Sequence, residues 1–166
     1  KSSAEFLGIQ YEAEFGLDFR SVRVYFAYGP GRLPIEVTPN HQAVFGSLTG
    51  QKKVSLTAGA DQSIDFTYIK DIARAIGLVY LAPELQHRQY NVSSGVCYPI
   101  PELVEKVAAY AGVDIEVSIG PGRIMPRGPS IDCTRLKKEL NFEAEYDLAD
   151  GVKEFANWIH DRTNIN

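Results

Sequence analysis

The run Gly-Pro-Gly-Arg occurs twice, at 29–32 and at 120–123. Glycine-rich runs cradle phosphate when they open a helix directly after a strand, because backbone N–H groups then converge on the anion. Neither copy opens a helix after a first strand, and no G-x-G-x-x-G or G-x-x-G-x-x-G occurs. Tyr28-Gly29-Pro30-Gly31 instead reads as a tight turn, with both glycines at positive φ and the proline fixing its neighbour. Lys1 and Glu5 are four residues apart, which puts them on one face if the segment is helical. His41, His87 and His160 are scattered, and Cys97 and Cys133 have no second cysteine at ligand spacing, so no metal site is expected. A cysteine pair this sparse fits reduced thiols in a cytoplasmic protein. Asp71, just ahead of an apolar stripe, reads as a helix N-cap. Asp65 and Tyr68 read as structural residues of the strand before it.

These residues need elements to hold them. Leu7, Tyr11 and Phe15 repeat every four residues, the spacing of one helical face, and Gly16 is a natural stop. The segment 21–27 is apolar at nearly every position, as in a strand covered on both faces. A short helix is expected after Pro39, ending near Gly50. Short strands are expected over 52–56 and 65–69. Ile72, Ala75, Ile76, Val79 and Tyr80 form a stripe on a helix over 71–82, which Pro83 ends. A strand over 88–94 follows. Leu103, Val104, Val107, Ala108 and Ala111 then define a helix that starts at Pro101 and stops at Gly112. Residues 114–119 read as a strand, 120–130 as a loop and 133–140 as a short helix. The last helix carries Leu148, Val152, Phe155, Ala156 and Ile159, with Asp147 as its N-cap and Trp158 as packing.

The alternation of helices and strands predicts an α/β fold with a partly parallel sheet. The strands are few for so many helices, which reads as half of a larger unit. Length and composition suit one globular domain: 166 residues, 45% hydrophobic and 23% charged. A net charge of −4 argues against nucleic acid or an anionic membrane as the main partner. No apolar run approaches the roughly 20 residues of a membrane span.

Six segments, in order, carry a resemblance: Lys1–Leu7, "VRVYFAYGPG", "IDFTYIKDIARAI", "YNVSSG", "DCTRLKKELNF" and the final helix with Trp158. Together they resemble the C-terminal half of the extended short-chain dehydrogenase/reductases, the NAD-dependent nucleotide-sugar epimerases and dehydratases. The resemblance implies that 1–166 is the C-terminal part of a Rossmann-like doubly wound fold with its small substrate-binding subdomain. The N-terminal dinucleotide-binding half would be absent. It implies NAD or NADP as cofactor, a nucleotide-sugar substrate, the protein's own N-terminal half as a partner, and a homodimer through the first helix.

The same resemblance suggests roles. Lys1, with Glu5 behind it, matches the lysine of the family's Tyr-x-x-x-Lys motif, the tyrosine falling four residues upstream. Lys1 would then touch the cofactor ribose and favour the tyrosinate. The alternative is an ordinary surface lysine. Tyr28 and Gly29 would line the cofactor's nicotinamide end. Arg127 would contact substrate phosphate, and Arg32 is a second cation within reach; each could equally be a solvated loop arginine. Ile64 departs from the pattern, since much of the family carries there an arginine that grips the diphosphate. Two alternatives follow: a member of the family acting on a small non-nucleotide substrate, and a non-catalytic binding module on the same half-fold. Asn91 reads as a structural hydrogen-bonding residue.

Overall fold

The computed structural model describes residues 1–163. Helix α1 (Ser2–Phe15) ends at Gly16, which takes the left-handed conformation (φ 67°). No residue of α1 is buried. It is tied down at three points. Glu5 accepts hydrogen bonds from Ser21 Oγ (2.9 Å) and from Arg23 Nε and Nη2 (2.8 and 2.6 Å). Arg88 pairs with Glu12 at 2.6 Å. The Phe19 ring lies against Gly8, where a Cβ would come within 2.1 Å of it.

The strand expected over 21–27 is two strands. β1 (Ser21–Val24) pairs in parallel with β6 (Gln89–Val92), from Ser21 opposite Gln89 to Val24 opposite Val92. The chain then leaves that neighbour. β2 (Ala27–Tyr28) pairs in parallel with β5 (Thr67–Tyr68). Between them Phe26 has φ 24°, a value side-chain-bearing residues rarely adopt, and it makes the change of partner possible. Nor is β1 covered on both faces within this chain: Arg23 and Val24 are exposed.

The remaining elements pack around two cores. Helix α2 (Pro39–Phe45) starts at Thr38, whose Oγ1 caps His41 N, and runs on into a 3-10 turn, Gly46–Thr49. β3 (Lys53–Leu56) pairs in parallel with β8 (Glu116–Ile119), and β4 (Ser63–Ile64) pairs antiparallel with β7 (Tyr98–Pro99). Helices α4 (Ile100–Ala111) and α6 (Leu148–Thr163) pack against each other and enclose the larger core, with Phe45, Phe66, Leu103, Val107, Val152 and Phe155 inside it. Asp147 caps α6 as expected, accepting from Asp150 N at 2.8 Å. Trp158 packs on Phe155, ring centroids 6.0 Å apart, and Arg162 lies over the Trp158 ring.

A second core lies between α3 (Ile69–Leu81), β6 and α5 (Thr134–Leu140). Its α3 face is Ile72, Ala75 and Val79; Ile76 and Tyr80 are exposed. At about 100° per residue, Tyr80 stands some 80° round from Ile72, outside the buried stripe. Asp71 is not an N-cap. It lies inside α3, is fully buried, and accepts from the backbone N–H of Glu145 (2.9 Å) and Tyr146 (3.1 Å). It fastens the segment leading into α6 to the start of α3. Asn91 makes the structural bond expected of it, Nδ2 donating to Asp132 O at 2.8 Å.

Candidate functional site

At the end of β2 the chain turns through Gly29 (φ 127°) and Gly31 (φ 126°). Gly29 is pressed against α3: a Cβ there would come within 2.7 Å of Ile69 Cγ2 and 2.8 Å of Tyr68 Cε2. The turn opens a cleft of about 340 Å³ whose walls include Tyr28, Gly29, Arg32, His41, Phe45 and Phe155. It is an apolar cleft with one cation, Arg32.

Tyr28 is buried, its ring stacked on Phe45 at 4.9 Å and 11°. Its hydroxyl points toward Gly151 of α6, where a Cβ would lie 2.1 Å from it. Burial pushes the phenol's pKa far up. Tyr28 therefore offers the cleft its ring and backbone, not a titrating hydroxyl. His41 is equally fixed. Its Nε2 meets Ala27 O at 2.7 Å and its Nδ1 meets Thr38 Oγ1 at 2.8 Å, so a neutral ring donates to the carbonyl and accepts from the hydroxyl. Burial lowers its pKa, which favours that neutral form. His41 holds α2 onto β2 and shapes the cleft; sequence spacing carried no sign of this.

Lys1 is exposed at the head of α1, and its carbonyl accepts from Ala4 N (3.0 Å) and Glu5 N (3.2 Å). Glu5 does not serve Lys1, because Arg23 and Ser21 occupy its carboxylate. Those hydrogen bonds, Arg23's foremost, hold its pKa down at about 2.

Ile64 is 1% exposed, packed in the larger core. Three side chains of the same stretch, Asp61, Gln62 and Asp65, reach across to the loop over 120–130. Asp61 Oδ2 accepts from Gly122 N at 2.6 Å. Gln62 Oε1 accepts from the N–H of Ile124 (3.0 Å) and Met125 (3.2 Å), and its Nε2 donates to Met125 O (3.1 Å). Asp65, fully buried, accepts from Ser130 Oγ (2.7 Å), Ser94 Oγ (2.6 Å) and Gly95 N (2.8 Å). Arg127 rides on this pinned loop, beside Tyr25, and does not line the cleft that Arg32 borders. The site residues expected from sequence thus fall at two places: Tyr28, Gly29 and Arg32 around the cleft, and Arg127 on the far loop. Among the described residues no group of three or more His, Cys, Asp or Glu side chains could hold a metal ion, and no helix is long and apolar enough to cross a membrane.

Parallel strand pairs flanked by helices, with a glycine turn and a cleft at a strand's end, define an α/β protein of the Rossmann type. A solved structure with this fold is RMD from Pseudomonas aeruginosa, complexed with NADPH: TM-score 0.78, 23% identity, 98% of this chain and 55% of that one covered. Residues 1–155 match the family described as GDP-mannose 4,6 dehydratase, and the chain belongs to that family of nucleotide-sugar epimerases and dehydratases. Among curated relatives, dTDP-glucose 4,6-dehydratase of Streptomyces griseus is 28% identical over 163 residues, covering 96% of this chain and 48% of the relative. UDP-glucuronate 4-epimerase of Thermodesulfobacterium geofontis is 27% identical over 179 residues, covering 99% and 50%. The chain spans about half the length of these relatives.

Proposed function

We propose that this chain is the substrate-binding half of an NAD(P)-dependent nucleotide-sugar epimerase or dehydratase. The observation that carries the reading is the family match across residues 1–155. The cleft beside Tyr28 and Gly29 supports it. Its apolar walls suit the flat ring end of a dinucleotide. They do not suit a pyrophosphate, and neither Gly-Pro-Gly-Arg run leads into an α-helix: a 3-10 turn (Pro34–Glu36) follows the first and an irregular loop the second. The pyrophosphate end would belong to the other half of the protein. NAD or NADP, when bound, supplies a hydride acceptor. Lys1 would hydrogen-bond the ribose and favour the ionised form of a tyrosine four residues upstream, on the same helical face. Arg127, or in its place Arg32, would receive the substrate's phosphates. Free Cys97 and Cys133 are in keeping with a cytoplasmic protein.

The test uses the full-length protein with UDP-, dTDP- and GDP-sugars, following reduced cofactor and product. Lys1→Ala should lower kcat on the order of 10²-fold or more, the scale of a lost proton-transfer partner. Lys1→Arg should restore only part, because a planar guanidinium does not replace a compact ammonium. The 166-residue chain alone should turn over nothing. Near-wild-type turnover in Lys1→Ala would return Lys1 to the surface. One observation favours a second reading, a small substrate without a nucleotide: buried Ile64 offers no cation from β4. Activity on simple carbonyls or alcohols, with none on any nucleotide sugar, would decide for it.

A further inference from the structure

The start of α1 carries a cation and a carboxylate, Lys1 and Glu5, at the four-residue spacing that pairs opposite charges on a helix. They do not pair. Lys1 is exposed, and among the described residues no carboxylate partners its ammonium. Glu5 is held by β1 instead, and both its oxygens are engaged. Oε1 accepts from Ser21 Oγ (2.9 Å) and Arg23 Nε (2.8 Å), and Oε2 accepts from Arg23 Nη2 (2.6 Å). Ser21 and Arg23 are alternate residues of one strand, so they meet α1 from the same face of the sheet. The planar guanidinium takes the carboxylate with two parallel bonds, a geometry that fixes direction as well as distance.

No residue of α1 is buried, so packing does not set where its first turn lies. Gly8 against Phe19 and Glu12 with Arg88 hold the later turns. In the first turn it is the Glu5 side chain that reaches the sheet. That side chain is only 21% exposed. A carboxylate so far from water, stripped of its guanidinium, is costly and draws another cation. Arg88 is committed to Glu12 and Asp18. Lys1 stands one turn back on the same helix, and its flexible stem can carry an ammonium to the vacated carboxylate. Arg23 therefore acts twice: it docks the turn that bears Lys1, and it keeps Glu5 from capturing Lys1.

We propose that Arg23 is a positioning residue for Lys1: by engaging Glu5 together with Ser21, it sets the first turn of α1 on β1 and leaves the Lys1 ammonium free for the reacting groups. The proposal rests on the reading of Lys1 given above, as the partner of the cofactor ribose and of a tyrosine four residues upstream. Arg23 acts only through Glu5.

The test is single-turnover reduction of NAD(P) by a nucleotide sugar in the full-length protein, followed across pH. A free ammonium beside the tyrosine lowers its pKa, so the rate climbs at lower pH than it would without that charge. Glu5 itself titrates far below this range, at about 2 in the folded protein. Arg23→Gln hands Lys1 to Glu5. The rate at pH 7 should fall about tenfold, the scale of a lost hydrogen bond to a charged group, with affinity for the sugar nucleotide held. The acid limb should move to higher pH. In Glu5→Gln with Arg23→Gln no carboxylate remains to capture Lys1, so the limb should return toward its original place although Arg23 is still missing. Removing an unpaired carboxylate would also raise the melting temperature, so the limb and not the melt is the readout. A slower Arg23→Gln whose limb does not move, or a limb displaced equally in the double variant, makes Arg23 a structural tie and overturns the proposal. An unchanged Arg23→Gln beside an impaired Lys1→Ala overturns it too, and leaves the reading of Lys1 standing. A Lys1→Ala with full rate and an unmoved limb removes that reading, and the proposal with it.

Discussion

Gly29 shows how much of a site one residue can fix. Its φ of 127° strains any L side chain, and its missing Cβ leaves room for Ile69 and Tyr68. Gly31 has nearly the same φ, 126°, but open space around it. The pair separates backbone strain from packing. Gly31→Ala should cost the strain alone, about 1 kcal/mol; Gly29→Ala should cost roughly 3 kcal/mol or more, because α3 must also give way. In thermal melts of the full-length protein the second should fall several degrees further than the first. Equal melting points would mean that the α3 contact contributes nothing. The turn itself was legible, since glycine and proline in that order punctuate a chain. His41 and Gln62 were not. Each owes its place to a partner well along the chain, His41 to Ala27 and Gln62 to Met125, and no local periodicity records such a pairing.

Element boundaries were legible where a residue enforces them: Gly16 ends α1, and Gly112 closes α4 in the left-handed conformation. The break between β1 and β2 was not, because Tyr25 and Phe26 continue an apolar run without glycine or proline. Only the change of strand partner demands it. The docking of α1 is the element most exposed to solution conditions. It buries nothing of its own, and Glu5 is its main tie to β1. The carboxyl's pKa is lowered from 4.5 to about 2 in the folded protein, chiefly by hydrogen bonds from Arg23 and Ser21. A lowered pKa means the stabilisation is complete above the unfolded value and disappears as pH falls through the folded one. Protection of α1 from hydrogen exchange, relative to the intrinsic rate at each pH, should therefore fall between pH 4.5 and about 2, earlier than in α4 or α6. Glu5→Gln should lower it already at pH 7 and flatten the pH dependence. Arg23 is about half exposed, so salt should weaken the tie too. Protection in α1 that is flat from pH 7 to 2 would show that Phe19 against Gly8 holds the helix unaided.

Across the whole molecule, two surfaces are unfinished, and they adjoin. Among the described residues β1 has one strand neighbour, β6, and its other edge is unpaired. Helix α1, tied to β1 through Glu5, exposes Phe6, Leu7, Ile9, Tyr11 and Phe15, followed by Leu17. An unpaired edge is a template for another strand, and so many exposed apolar side chains on one helix, with Leu7, Tyr11 and Phe15 on one face, mark a contact surface. The two should behave differently under mutation. A helix face associates through area, so Leu7→Glu with Phe15→Glu should weaken it in proportion to the apolar surface lost. A strand edge associates through backbone groups, so those substitutions should leave it active, whereas Val24→Pro removes a donor. By light scattering, the 166-residue chain alone should be a dimer or larger. The helix variant should retain association through the edge, and the triple variant should approach a monomer. In the full-length protein the other half would cover the β1 edge, leaving the α1 face for a second copy; there the helix variant alone should suffice to give monomers. A wild-type 166-residue chain that stays monomeric at high concentration, with fast exchange along β1, would mean that neither surface is an interface.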